Sequence, residues 1–217
     1  MRLIPARLLA VAAWCFLVSP VCAQGNDSKI EFRVEALDDE QRAVHVDLGD
    51  RSVSAILPSI PGALYGRPTI DPVYLTHVAL GTSFFVSTSH LEQRLKFLAT
   101  PPSAESNAQG PLLEPKTTRF ARVATLLQDD RTGKVLTGAG LYDPKSRDGL
   151  ILAYFDRKCT IAGSVRLPPD VVEYDISVAG PGIHWLKARL VRPKLYKMEL
   201  SDPGAVVVFG VPASRLK

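Results

Sequence analysis

The chain has 217 residues, 46% of them hydrophobic, with 26 Lys and Arg against 22 Asp and Glu and a formal charge of +4. That near-balance gives no reason to expect a nucleic-acid partner, and three cysteines, two of them within the first 22 residues, exclude a small disulfide scaffold. The length suits one ample core or two small domains.

The first 23 residues read as a signal peptide. Arg2 and Arg7 give a basic start, Leu8 to Val18 is almost wholly apolar, and Val21-Cys22-Ala23 precedes Gln24 as a signal-peptidase site requires. The apolar run is too short to span a bilayer, and no second run is long enough to suggest a span. Removal after Ala23 takes away two arginines and no acidic residue, leaving 24 basic against 22 acidic groups. It also takes away Cys15 and Cys22, so Cys159 remains alone and no internal disulfide can form. Cys22 stands where a lipidated cysteine would, but Val21 and Ser19 occupy positions where such sites want a small and a Leu-like residue. Membrane anchoring is expected only if Cys22 is lipidated.

Residues 24–100 read as a β-rich region with one helix. From Lys29 to Leu37, Ile30, Phe32, Val34 and Ala36 alternate with Glu31, Arg33 and Glu35, which predicts a strand with one wet face. A turn at Asp38–Gln41 and a second alternation through Val44, Val46 and Leu48 predict a first hairpin, and Arg51–Leu57 continues the pattern more weakly. The four prolines from Pro58 to Pro72 predict a long connection. Val73–Leu80 and Thr82–Ser87 are β-prone runs broken at Gly81. Ser89 and Glu92 have capping-box spacing and Leu91, Leu95 and Leu98 share a helical face, which predicts one short helix near 89–99, ended before Pro101.

Residues 101–117, PPSAESNAQGPLLEPKT, have the composition of a Pro-rich linker or long loop. Residues 118–217 then read as a C-terminal β-sandwich domain of immunoglobulin-like size. Its predicted strands are Arg119–Gln128, Lys134–Tyr142, Leu150–Asp156, Cys159–Val165, Lys194–Leu200 and Ala205–Val211, plus a hairpin over Val171–Arg192. A turn at Gly180-Pro181-Gly182 would set Tyr174, Ile176 and Val178 opposite Ala188, Leu186 and His184, with Asp175 facing Lys187 and Glu173 facing Arg189. Apolar pairs on one side and opposite charges on the other are what a half-buried meander requires. The fold class expected is all-β, a mainly antiparallel β-sandwich with one short helix.

Residues able to carry chemistry are sparse. His45, His77, His90 and His184 are too scattered for a zinc motif, and neither a Gly-x-Ser-x-Gly elbow nor a phosphate loop is present. His45 and Asp47 share a strand face, which two ligands do not turn into a metal site. Cys159 follows Arg157 and Lys158, whose charges would favour a thiolate if they met it, but a small buried hydrophobe is its ordinary role. No catalytic residue, cofactor or metal site is expected.

Trp185, the single Trp left after processing, shares a face with Lys187 and Arg189, and these three form the candidate binding residues. The reading is therefore an exported, periplasmic or secreted, non-catalytic protein that binds a protein partner or an envelope polymer. A secreted hydrolase or lectin-like enzyme accessory with a site between the two halves is the alternative. A carrier of small apolar ligands follows only if the strands close into a barrel.

Overall fold

A computed structural model describes residues 28–63, 72–102 and 111–216. The signal-peptide reading and the middle of the predicted linker lie outside these residues. The fold is all-β and sandwich-like, with one helix. Its first half supplies β1 (Lys29–Leu37), β2 (Ala43–Val44), β3 (Val53–Pro61), β4 (Pro72–Val78), β5 (Ser83–Ser87) and α1 (Thr88–Leu98). The second half supplies β6 (Leu112–Glu114), β7 (Phe120–Val123), β8 (Leu126–Asp129), β9 (Val135–Gly138), β10 (Gly140–Tyr142) and β11 (Gly149–Phe155). It continues with β12 (Cys159–Leu167), β13 (Asp170–Val178), β14 (Gly182–Arg192), β15 (Leu195–Ser201) and β16 (Val206–Pro212).

One strand divides the molecule. β11 is apolar on both faces, so it cannot lie on an open sheet with one side wet. Leu150, Leu152 and Tyr154 enter a first core, while Ala153 and Phe155 enter a second. β14 covers one whole edge of β11, and β10 and β7 share the other. β14 repeats the division, with Trp185 packed against the first core and Leu186 inside the second.

The first core draws on both sides of the predicted linker, from Ile30 to Ala99 and from Ala121 to Leu216. The reason is β16, whose Val207, Val208, Phe209 and Val211 are all fully buried. Such a strand needs neighbours on both edges, and it finds β1 in parallel and β10 in antiparallel register. In this core Phe32 stacks on Phe84 with ring centroids 5.0 Å apart, and Phe209 meets Phe84 edge to face at 5.9 Å. The second core is built from residues 113–198 alone.

Several expectations are corrected. The Val171–Arg192 hairpin does not form: β13 pairs with β12 and, in parallel, with β15, while β14 pairs with β11 and β15. β15 lies between the two strands that were expected to touch. An alternating strand fits any neighbour whose faces match, and the 14–15 connection at Pro193-Lys194 is tight, with Lys194 at a φ of 66°. The core face of β13 is as expected, with Val172, Tyr174, Ile176 and Val178 buried, but on β14 Ala188 is half-buried and Leu190 is exposed. The C-terminal half is not a meander, since β15 and β16 are likewise not neighbours.

Residues 112–114 form a strand on β12 rather than linker, because Leu113 reaches the second core. β3 runs on through Pro58 to Pro61, with a register shift at Leu57/Pro58 that absorbs the missing donor. The first hairpin is reduced to the two residues of β2. The helix starts at Thr88, capped by Ser87 instead of Ser89: the Ser87 side chain accepts from the His90 N–H at 3.1 Å. Ser87 is the last, extended residue of β5, which is the backbone an N-cap needs. Leu91 and Leu95 bury into the first core as expected.

Because β11 serves both cores, Leu152→Ala should cost about 2–5 kcal/mol. The protein should still melt in one calorimetric transition, with equal van't Hoff and calorimetric enthalpies. Two resolved transitions would separate the cores.

Candidate functional site

The three predicted binding residues do share one face of β14, two residues apart each time, but the structure gives them partners already. Trp185 lies opposite Leu152 of β11 and Ser201 of β15 and is partly buried against the first core. Lys187 lies 3.9 Å from Asp148 and 3.8 Å from Glu199, and Arg189 lies 3.6 Å from Glu199. The expected pairs with Asp175 and Glu173 are absent because β15 brings Glu199 between the two cations.

The other singled-out residues also have structural work. His184 Nε2 lies 3.0 Å from the Gly180 carbonyl, and its ring packs on Phe155. Asp47 Oδ1 accepts the Gly49 N–H at 2.8 Å, and His45 is exposed. Cys159 is buried in the second core, where burial, with the Asp156 charge adding to it, pushes the thiol up to about 11. Among the described residues no group of three or more His, Cys, Asp or Glu is placed to hold a metal, and no helix is long and apolar enough to cross a membrane.

A site that linear reasoning missed sits where β3 begins and β8 ends. Ser54 of β3 is directly opposite His77 of β4, and Asp130 follows β8 on the other side of β3. His77 Nδ1 lies 2.9 Å from Asp130 Oδ2 and 3.3 Å from the Ser54 hydroxyl. The Ser52 hydroxyl donates to the same Asp130 oxygen at 2.5 Å, and the Asp130 N–H donates to the Ser52 carbonyl at 3.0 Å. Burial pushes the Asp130 carboxyl up, but the bonds from Ser52, Ser54 and His77 together outweigh it and hold the group below its ordinary value. The His77 side chain is 79% exposed, so its ring is oriented by Asp130 while its outer edge faces water.

Ser52 and Asp130 are the link between two tight turns. In the first, Asp47 caps Gly49, whose φ is 57°, and the Arg51 N–H donates to the Leu48 carbonyl. In the second, Asp129 accepts from both the backbone and the hydroxyl of Thr132, and Gly133, with a φ of 68°, closes the hairpin onto Asp129. These bonds hold the Asp129 carboxyl low, the Thr132 backbone first among them. Between the turns lies a cleft of about 290 Å³ lined by Leu48, Asp50, Arg51, Ser52, Asp129 and Arg131. Comparison with protein-family models, with curated proteins and with solved structures finds no match for this chain.

Asp130→Asn should lower stability at pH 7 by about 1–3 kcal/mol, because it weakens hydrogen bonds to a charged group. Since the folded carboxyl titrates below its unfolded value of about 3.9, this contribution is present above that value. It disappears as pH falls through the folded one, so urea midpoints of the two proteins should converge in acid. Cys159, for its part, should resist a thiol reagent at pH 8 in the native protein and react at once in urea.

Proposed function

We propose that the chain is an exported, non-catalytic protein that binds a protein partner or an envelope polymer, and that it does so through the cleft at the β3–β8 corner. What carries this reading is that polar groups without strong partners of their own stand on two turns locked by hydrogen bonds, which is how a binding site is pre-organised. The basic, apolar, small-residue order of residues 1–23 supports export. The non-catalytic reading draws support from His77: both hydroxyls of its cluster bond on the side already turned to Asp130. Neither is placed to give its proton to the outer ring nitrogen, as a serine nucleophile must.

The His77–Asp130 pair also favours a second reading, a secreted hydrolase in which the oriented imidazole serves as a base for a bound substrate. The two readings part in one experiment. Processed chain is mixed with purified envelope glycan and with detergent-solubilised envelope proteins, and both co-sedimentation and breakdown of the bound material are followed. Binding to one fraction without breakdown, retained by His77→Ala because the Ser52–Asp130 bond still joins the two turns, is the expected outcome. Breakdown that His77→Ala abolishes would replace it with the hydrolase reading. Mass measurement of the exported form should give a chain beginning at Gln24.

A further inference from the structure

The lining of the corner cleft selects among ligands by the kind of hydrogen bond it leaves unmade. Thr132 occupies Asp129 Oδ1 and leaves Oδ2 open, while the Ser52 hydroxyl donates to Asp130. Arg51 makes one long bond, Nη1 to the Leu216 carbonyl at 3.4 Å. Among the described residues, the side chains of Asp50 and Arg131 make neither a hydrogen bond nor an ion pair, although Arg131 acts on Asp129 through its charge. The groups left open are thus guanidinium donors from Arg51 and Arg131 and carboxylate acceptors from Asp50 and from Asp129 Oδ2, beside the half-buried Leu48.

The charges of this lining cancel, two Arg against two Asp. A phosphate or carboxylate seated there would gain from the guanidiniums and lose to the carboxylates. At about 4 kcal/mol per contact pair in such a partly screened setting, those terms offset each other. A zwitterion would match both signs, but it would exchange part of the hydration of two full charges for contacts that water in the open cleft still screens. A hydroxyl has neither problem, because it donates and accepts at once. Neighbouring hydroxyls on one ring can donate to Asp50 and accept from Arg51 and Arg131, while the ring's C–H face lies on Leu48. We propose that the cleft is a subsite for one neutral sugar unit of a glycan, an assignment that rests on the envelope-polymer reading above and gives the polymer its chemical class.

The test uses the processed full chain and isothermal titration with four probes: a neutral hexose oligosaccharide, an N-acetylhexosamine oligosaccharide, glycylglycine and inorganic phosphate. The expected result is saturable binding of at least one neutral oligosaccharide, weakened about tenfold or more by Asp50→Ala and by Arg131→Ala. Arg166→Ala, on the exposed face of β12, should leave it unchanged. The cleft residues lie at exposed turns, so circular dichroism should show all variants folded. Absence of binding by both oligosaccharides overturns the proposal, as does sugar binding that neither cleft variant weakens. Binding of glycylglycine or phosphate alone, lost in Arg131→Ala, would instead assign the cleft to a charged ligand. Failure of this proposal is distinguishable from failure of the reading beneath it. If envelope material co-sediments with wild type and Arg131→Ala alike, only the cleft assignment falls; if it co-sediments with neither, the binding reading itself falls.

Discussion

The structure depends on burial of both faces of β11. A strand with one wet face can end a sheet or lie on an open layer, but Gly149–Phe155 has apolar side chains in both directions and must be enclosed. Enclosing it forces two cores to form back to back, joined by a common wall. The neighbours then follow: β14 along one edge, β10 and β7 sharing the other, with β14 and β7 contributing to both cores and β10 to the first. A similar demand from β16 draws β1 across from the opposite end of the chain, so the first core is closed by segments that are far apart in sequence.

This wall also explains why the strip of Trp185, Lys187 and Arg189 is less open than its composition implies. On a half-buried hairpin the strip would face solvent over its whole length. Here its first residue approaches β11 and takes on the packing of the first core, and the next two meet the Glu199 carboxylate that β15 inserts. Of the three, Trp185 alone packs against a core, while Lys187 and the exposed Arg189 are held by modest, partly screened ion pairs.

The corner at β3 and β8 has the opposite character. It stands at the periphery of the first core, where strands give way to turns and where Ser54 is buried but the outer part of the His77 ring is not. Asp130 collects bonds from two other segments, Ser52 just ahead of β3 and His77 of β4, which ties the ends of β3, β4 and β8 together. Turns fixed in this way keep polar groups pointed at water without collapsing onto one another, a condition for a cleft that stays open to a ligand.

Alternation in the sequence determined which residues of each strand face inward, because side chains of an extended chain point to opposite sides in turn. It therefore located β1 over Lys29–Leu37 and the buried positions of β13, and the leucine spacing located α1. Alternation is silent about partners, since any strand with matching faces serves. The Gly-Pro-Gly turn looked like a hairpin while the pairing went to β15, because only the packed protein reveals which strands need cover on both edges. The candidate site was hidden for the same reason. His77 and Ser54 are 23 positions apart and His77 and Asp130 are 53 apart, and no local pattern marks residues that meet only through the register of three strands.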